Sequence, residues 1–341
     1  MVSNLFHEIV KSYEISISSI PKYSKSKHWQ KYFNNDFHKL ISEDNLKFFR
    51  KNGLSDGLDN RRLENLEYLE LEFNSFLNYL KKYKINFGKI QNLFPNMNTG
   101  QLPIFLTKNN HFIDTKFIST IKYYLLFEKL IFNKNCISAN NIHILDIGGG
   151  FGALISVLIR SDFLRTKKVK YFLIDLPETN LLSNYYLGKQ FPEKRILNMN
   201  TKNLTKEILS INDLNNFDIF ILPTNSNISD EIRFDFINNT ASMMEMNFEQ
   251  IKKYFNFIQS RIKLGGYFSN INRYYKDSVG EKIYLHNYPY DDNWTICHSV
   301  SHGRRSHFLI TKRVNSKTSE VQKEMRKIKL ISKLHSPPSM I

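Results

Sequence analysis

The stretch that decides the fold is Ile144–Gly152, which reads Ile-Leu-Asp-Ile-Gly-Gly-Gly-Phe-Gly. Its first four residues are mainly apolar and predict a buried strand. Glycines then occupy the alternate positions Gly148, Gly150 and Gly152, and the apolar run Ala153–Ile159 predicts a helix. Strand, glycine turn and helix together predict a nucleotide-binding βα corner, where backbone without Cβ atoms can lie close to a ligand.

Glycine spacing alone leaves two ligands open, because Gly148-x-Gly150-x-x-Ala153 also fits the dinucleotide fingerprint. Asp146 precedes the first glycine by two residues. A carboxylate is unfavourable beside a pyrophosphate, but it suits the ammonium group of S-adenosylmethionine (SAM). Asp146 could also simply cap the turn. We therefore expect SAM ahead of a nicotinamide cofactor.

The next predicted strand, Val169–Asp175, ends in an acid that lies 23 residues after Gly152. An acid at the end of the second strand, roughly 20 residues beyond the glycines, can accept hydrogen bonds from the ribose hydroxyls. Asp146, the glycines and Asp175 together favour a cofactor of the adenosine type.

Strands and helices alternate from residue 140 onwards, which predicts a mostly parallel sheet with crossover helices. The third and fourth strands are predicted at Phe217–Leu222 and Phe234–Asn238, with Arg195–Met199 as a weaker candidate, and the fifth at Tyr267–Asn272. Helices are predicted from Pro177 to Gln190, and from the capping pair Asn247-x-x-Gln250 to Lys263, ending at Leu264-Gly-Gly266. A long loop is predicted over residues 273–293.

The last two predicted strands, Thr295–Ser299 and His307–Lys312, are joined by the short segment Val300–Ser306. A short join predicts an antiparallel pair. A last strand that turns back suits a class I methyltransferase better than a dinucleotide enzyme, which would more often continue with βα units. The expected fold class is therefore α/β: a Rossmann-like class I methyltransferase sheet, mostly parallel with the last strand antiparallel, preceded by a helical region.

We divide the chain into a helical N-terminal region (1–135), a SAM-binding domain (136–314) and a basic tail (315–341). The clearest helix of the first region, Arg61–Tyr83, carries leucine and phenylalanine at three- and four-residue steps. It follows a loop predicted over Asn52–Asn60, and a second helix is predicted at about Thr115–Phe132. The tail is predicted to be helical in part, or a solvated or frayed end.

Composition narrows the class of protein. The chain has 341 residues, 41% of them hydrophobic, and a formal net charge of +16. No apolar run reaches membrane-spanning length, and the charges within Met1–Ile15 argue against a signal peptide. Two cysteines, Cys136 and Cys297, form neither a disulfide framework nor a zinc set. We expect a cytoplasmic protein, with a homo-oligomer left open. The lysines are scattered, which makes a nucleic-acid surface an unfavoured but open alternative.

Several stretches, taken in order, resemble bacterial sugar O-methyltransferases of the class I, SAM-dependent group. They are Ile144–Gly152, Leu173–Glu178, Phe236–Met246, Gly265–Phe268 with Asn272-Arg273, and Tyr288–Trp294. The resemblance covers roughly residues 88–313. It implies a Rossmann-like sheet behind a helical N-terminal region and SAM as cofactor. Met243 stands where these relatives usually carry an aromatic residue, a departure that could alter the acceptor pocket.

The resemblance implies cofactor roles for Asp146, the three glycines and Asp175. Ligands of doubly wound sheets lie outside the carboxyl ends of the strands, so the stretch after the fourth strand should lie beside the reactive end of the cofactor. The full set assigned to cofactor binding is Asp146, Gly148, Gly150, Gly152, Asp175, Leu176, Pro223, Asn239 and Thr240.

A sugar hydroxyl is a poor nucleophile, so a general base is expected. Glu245 is the first candidate because it follows the fourth strand, although it could instead be an acid that stabilises a helix start. His286 and His302, from the loops around the last strands, are the other catalytic candidates. Asp291, Asp292 and His307 come from the same region. Asp291 and Asp292 could bind a divalent metal that acidifies the hydroxyl, but two adjacent acids do not by themselves make a metal site, so no metal ligand is assigned.

The leading hypothesis is therefore a SAM-dependent O-methyltransferase that acts on a hydroxyl of a sugar or glycoconjugate, with a small molecule or a glycan as the acceptor. The charge of +16 keeps an RNA or protein methyltransferase open. A non-catalytic, cofactor-binding partner subunit is a third alternative, since no unmistakable catalytic pair is present.

Overall fold

An eight-stranded sheet lies at the centre of the structure, a computed structural model that describes residues 4–19, 29–30, 41–51, 65–102, 104–132, 140–277, 280–303 and 305–335. The strands are β1 (Leu106–Lys108), β2 (His111–Ile113), β3 (Asn141–Ile147), β4 (Lys168–Asp175), β5 (Ile196–Leu197), β6 (Ile219–Pro223), β7 (Phe234–Thr240), β8 (Ile262–Arg273), β9 (Tyr275–Lys276), β10 (Ile283–Tyr284), β11 (Trp294–His302) and β12 (Ser306–Arg313).

The described helices are α1 (Asn4–Ser19), α2 (Glu43–Lys47), α3 (Leu66–Lys82), α4 (Phe87–Ile90), α5 (Thr115–Phe127), α6 (Ala153–Arg160), α7 (Asp162–Arg165), α8 (Pro177–Gln190), α9 (Ile211–Asn216), α10 (Phe248–Arg261) and α11 (Glu320–His335). Single 3₁₀ turns occupy Gln91–Leu93, Met243–Glu245 and Leu285–Asn287, and a π-helical turn, Glu128–Phe132, extends α5. Within the described part of the chain, no helix is long and apolar enough to cross a membrane.

The strand order of the sheet is β11-β12-β8-β7-β3-β4-β6-β5. β12 is antiparallel to both of its neighbours, whereas the other pairs within the sheet are parallel. The carboxyl ends of β3, β4, β6 and β7 therefore meet at one edge, which we call the carboxyl edge. The expected fold class, a mostly parallel α/β sheet with its last strand antiparallel, is confirmed.

Helices cover both faces of the sheet because the central strands are apolar on both sides. One core cluster joins the sheet to α5, α6 and α8. The other joins it to α9, α10 and α11. Within the second cluster the rings of Phe172 on β4 and Phe220 on β6 stack with centroids 4.5 Å apart. The central strands are thus buried between two helical layers.

The N-terminal region packs on the first helical layer. The backbone N–H of Met199 donates to Ser12 Oγ of α1 over 3.1 Å. Phe49, just after α2, lies against Phe151 of the glycine loop, with ring centroids 5.6 Å apart. The neighbouring Arg50 forms a buried ion pair with Asp114 (3.1 Å), which caps α5. This region is therefore in direct contact with the glycine loop.

Two predicted assignments need correction. The weaker candidate around Arg195–Met199 does form a strand, the short edge strand β5. The strand predicted third along the sheet domain, Phe217–Leu222, therefore follows it as β6. The glycines of Leu264-Gly-Gly266 do not end a helix: α10 ends at Arg261, and both glycines lie within β8, where the pairing with β7 is irregular. A Cβ at Gly266 would lie 3.1 Å from the Asp235 carbonyl oxygen, so a side chain there would crowd the neighbouring strand.

The predicted long loop over 273–293 contains the hairpin β9–β10 and the turn Leu285–Asn287. The predicted loop Asn52–Asn60, and residues 61–64 of the helix predicted to follow it, lie outside the described residues. The asparagine of the predicted capping pair is confirmed as a helix cap, since the Gln250 N–H donates to Asn247 Oδ1 over 2.8 Å.

The stretch assigned to the basic tail contains α11, which packs on the sheet beside α10. Val321, Met325 and Ile328 belong to the second core cluster. Ser299 Oγ of β11 donates to Glu324 Oε1 over 2.6 Å. One face of this helix is thus part of the core, as its apolar spacing of three and four residues requires.

We expect Ile328→Ala to lower the free energy of unfolding by about 2–5 kcal/mol, because Ile328 is fully buried. Leu330, on the same helix, is 64% exposed, and Leu330→Ala should change stability by less than about 0.5 kcal/mol. Urea unfolding of both variants makes the comparison. Equal, small effects would show that α11 contributes nothing to the core in solution.

Candidate active site

The glycine loop after β3 has a backbone conformation that is unfavourable for residues with a side chain. Gly148, Gly150 and Gly152 have φ angles of +68°, +59° and +91°. A Cβ at Gly148 would lie 1.8 Å from Ser242 Oγ, because the segment after β7 folds directly over this glycine. The Gly148 N–H donates to the Ile174 carbonyl over 2.7 Å, which ties the loop to β4. The loop thus has no space for side chains at Gly148 and Gly152, where Ser242 and Leu187 pack against it.

Asp146, near the end of β3, is only 3% exposed. Its Oδ1 accepts a hydrogen bond from Asn238 Nδ2 of β7 over 2.8 Å. Burial raises its pKa to about 7, while the Asn238 hydrogen bond and the charge of Lys116 act in the opposite direction. In the described part of the chain no cation forms an ion pair with this carboxyl group.

Asp175 ends β4 and joins the glycine loop to the next helix. Its Oδ2 accepts from the Gly150 N–H (2.9 Å), and its Oδ1 accepts from the Leu176 N–H (2.7 Å). Burial raises the pKa of Asp175 to about 7, and the nearby charge of Asp146 raises it further, against the effect of these hydrogen bonds. The buried carboxyl group of Asp146 and the partly buried one of Asp175 therefore lie close together at this edge, and no ion pair to either is found within the described ranges.

The other residues assigned to the cofactor lie at the same edge. Leu176 precedes α8, and Pro223, at the end of β6, pairs with Asp175. Asn239 and Thr240 end β7. The Asn239 side chain points into the protein, where its Nδ2 donates to the Ile147 carbonyl over 2.8 Å. It therefore supports the glycine loop from inside the protein. The structure brings the whole predicted set together, whereas its role in binding stays a prediction.

Several residues of this edge were not predicted. Ser242 covers Gly148, and Asn238 holds Asp146. Asn272 Nδ2 of β8 donates to Asn239 Oδ1 (2.8 Å), and the Asn272 Oδ1 accepts from the Met244 N–H (3.1 Å). Asn238 and Asn272 could have been identified from the sequence, because asparagine is depleted in β-strands.

Glu245 lies on the 3₁₀ turn after β7, where it was expected. Its Oε1 is 2.5 Å from Lys276 Nζ of β9. The two side chains are 10% and 13% exposed, so the ion pair is buried. Lys276 was not predicted, because its partner lies 31 residues away. The pair fixes the position of the carboxylate at the carboxyl edge.

His286 and His302 are not brought together. His286 lies against α11, on one face of the sheet, and burial together with Lys329 lowers its pKa. His302 faces α5 on the opposite side, where its Nε2 is 3.0 Å from Tyr123 Oη. It ends the outermost strand, four strands from β3, which is roughly 19 Å at ordinary strand spacing. One acceptor could not contact both histidines.

The remaining candidates have structural partners. Asp291 forms an ion pair with Arg313 at the opposite edge of the sheet (2.5 Å), and the Asp292 carbonyl accepts from the Thr318 N–H. His307 is buried between Ser299 (2.8 Å) and Tyr274 (3.1 Å), and burial lowers its pKa to about 4. No group of three potential metal ligands occurs within the described ranges.

No family model matches the sequence, and no curated protein matches it. Solved structures do overlap with parts of the chain. The mitomycin 7-O-methyltransferase MmcR is 12% identical (TM-score 0.33), and the overlap covers 51% of this chain and 49% of that one. A methyltransferase from Pyrococcus furiosus is 14% identical (TM-score 0.34), covering 57% and 83%. Magnesium protoporphyrin IX methyltransferase (ChlM) from Synechocystis PCC 6803, with bound SAM, is 10% identical (TM-score 0.35), covering 57% and 79%.

The chain spans about half the length of MmcR, the first of these proteins. Identities and TM-scores of this size carry no argument about what this chain binds or catalyses. The case for its activity therefore rests on the site residues themselves.

Gly148→Ala tests the close approach of Ser242. The positive φ alone should cost about 1–2 kcal/mol, and the clash about 1–3 kcal/mol more. Gly303→Ala is the matched control, because Gly303 has a similar φ of +64° but no atom within 4 Å of a Cβ. Urea unfolding should show the larger loss for Gly148→Ala. Equal losses would mean that Ser242 moves aside without cost.

Proposed function

We propose that the protein is a SAM-dependent methyltransferase that transfers a methyl group to a hydroxyl of a sugar or glycoconjugate. The observation that carries the proposal is the pair of carboxyl groups beside the glycine loop, the buried Asp146 and the partly buried Asp175. Each has a pKa of about 7 in the free protein. Such a pair disfavours a pyrophosphate and favours a ligand that brings positive charge and hydroxyl groups.

The residues fit SAM in type and in position. A carboxylate offers about four acceptor sites. Asp175 uses two of them for the N–H groups of Gly150 and Leu176 and a third for the side chain of Thr179, so one remains for a ribose hydroxyl. Asp146 supplies negative charge for the ammonium group. The loop from Gly148 to Gly152 allows close contact with the amino acid portion.

When bound, SAM supplies a methyl group that is activated by its sulfonium charge. The protein must then align an acceptor oxygen with that methyl group, and orientation of this kind can supply about 7–11 kcal/mol of the barrier reduction. Glu245 is the proposed general base, which would add about 10²–10⁴-fold in rate. Lys276 holds its Oε1, so the carboxylate has one fixed orientation.

Calorimetric titration with SAM and NAD tests the cofactor assignment. We expect SAM to bind and its affinity to rise about tenfold for each carboxyl group between pH 6 and pH 8, since a group with a pKa near 7 passes from mostly neutral to mostly charged over that range. Asp146→Asn should flatten this rise, and Asp175→Ala should weaken binding sharply. Asp162→Asn, at an exposed acid of α7, is the matched control and should leave the profile unchanged.

Binding of NAD in place of SAM would overturn the cofactor assignment. SAM affinity that is constant with pH in the unmodified protein would show that neither carboxyl group faces the cofactor's positive charge. Formation of S-adenosylhomocysteine with RNA or protein acceptors, but not with sugars, would keep the cofactor and replace the acceptor.

Glu245→Gln should slow turnover at least tenfold while leaving SAM affinity unchanged. It also leaves the Lys276 ammonium without its counter-charge, which costs about 3–5 kcal/mol of stability for a buried pair. Lys276→Met breaks the same ion pair but keeps the carboxylate. We therefore expect Lys276→Met to retain more activity than Glu245→Gln, as measured by S-adenosylhomocysteine release.

The double variant Glu245→Gln, Lys276→Met separates the two roles of the ion pair. It removes both charges and should recover stability without recovering turnover. Recovery of turnover together with stability would exclude Glu245 as the base and leave it a structural role.

A further inference from the structure

Helix α11 carries two leucines on the side that faces away from the core. Leu330 is 64% exposed and Leu334 is 82% exposed. The core side of the same helix is formed by Val321, Met325 and Ile328. Since successive residues of a helix are about 100° apart around its axis, the two leucines lie opposite that side and one turn from each other. They form a small apolar patch on the outer face of the helix.

Cations surround this leucine pair. The exposed cations of α11 are Lys323, Arg326, Lys327, Lys329 and Lys333. By the same helical spacing, Arg326 and Lys333 lie on one side of the leucines, and Lys327 lies on the other. Leucines at the centre of a face with lysine and arginine beside them are typical of helices that lie in a membrane interface. There the leucines enter the lipid and the long cationic side chains reach its headgroups.

The two acidic residues of α11 are turned toward β11 and do not lie among these cations. Glu320 Oε2 accepts from the Ile296 N–H over 2.9 Å. Glu324 Oε1 accepts from Ser299 Oγ over 2.6 Å, and its Oε2 accepts from Lys327 Nζ over 3.0 Å. Only the charge of Lys327 is therefore offset by an acid of the same helix, and the outer face keeps an excess of positive charge.

The charge and the apolar patch together favour one kind of partner. A second copy of the chain would bring two positively charged helices together, which is unfavourable. A nucleic acid would neutralise the cations but would leave the leucines in water. A bilayer with anionic headgroups uses both features, because it buries the leucines and attracts each lysine and arginine near its surface.

We propose that the outer face of α11, formed by Leu330, Leu334 and the surrounding cations, binds a membrane surface that contains anionic phospholipid. The helix runs alongside β11 toward the carboxyl edge, because its first turn contacts Ile296 and its second contacts Ser299, further along the strand. The leucines therefore lie on the part of the helix that is nearer to this edge. The proposal goes beyond methyl transfer and does not depend on it, because lipid binding requires neither SAM nor turnover.

Sedimentation of the full chain with lipid vesicles, without SAM, tests the proposal. The probes are vesicles of phosphatidylcholine alone and vesicles of equal parts phosphatidylcholine and phosphatidylglycerol. We expect the mixed vesicles to bind the protein at least about tenfold more tightly, and added salt to weaken this binding, because salt screens the attraction between the cations and the headgroups. No binding to the mixed vesicles at low salt, or equal binding to both kinds, would overturn the proposal.

A double leucine variant locates the binding on α11. Leu330→Ser with Leu334→Ser should weaken binding to the mixed vesicles about tenfold, because less apolar area enters the lipid. Leu71→Ser with Leu264→Ser is the matched control, since these leucines of α3 and β8 are 68% and 67% exposed. It should leave the affinity unchanged, and thermal unfolding checks that both variants fold. Unchanged affinity of the α11 variant would show that its leucines do not enter the lipid and would contradict the proposal.

A double cation variant separates this face from the general charge of the protein. Arg326→Gln with Lys333→Gln should weaken vesicle binding about fivefold for each charge removed. Lys81→Gln with Lys82→Gln, at two exposed cations of α3, makes the same change in net charge and should have no effect. Equal losses in the two variants would mean that binding depends only on net charge. Tighter binding of polyuridylate than of the mixed vesicles, undiminished in the leucine variant, would assign the face to nucleic acid instead.

Discussion

The space that a side chain at position 148 would need is filled by Ser242, whose Oγ would lie 1.8 Å from a Cβ built there. This steric constraint joins two strands that are adjacent in the sheet but distant in sequence. The turn that places Ser242 is itself held, because the Ala241 N–H donates to the Ile271 carbonyl of β8. These contacts hold the ends of β3, β7 and β8 in one arrangement. That arrangement positions the glycine loop, Asp146 and the turn that carries Glu245.

The carboxyl edge also holds two carboxyl groups whose charged forms are disfavoured in the folded protein. Asp146 is buried and Asp175 is partly buried, and their pKa values lie well above those of exposed carboxyl groups. The folded chain therefore binds more protons than the unfolded chain between about pH 4 and pH 7, so these groups make folding less favourable as the pH rises through that range. Functional sites commonly retain groups that reduce stability in this way. A positively charged ligand would offset the cost.

The sequence predicted the features that depend on local chemistry. Apolar runs predicted β3, β4, β6 and β7, and the short join before His307 predicted the antiparallel last pair. The sequence did not predict contacts between distant residues, because these depend on the order of the strands in the sheet. Examples are the Glu245–Lys276 ion pair, the packing of Ser242 over Gly148, and the separation of His286 from His302. The glycines of β8 were misplaced because a glycine pair after a helical pattern is typical of a helix end, whereas here it lies at an irregularity between neighbouring strands.

Helix α1 has a consequence for the order in which the chain can fold. Its Ser12 accepts a hydrogen bond from Met199, a residue 187 positions later, and its other contacts are mainly with α8. During synthesis at about 5–20 residues per second, this helix waits roughly 10–40 s for those partners. This helix is thus buried well after it has been synthesised, and its apolar side remains available to chaperones in the meantime.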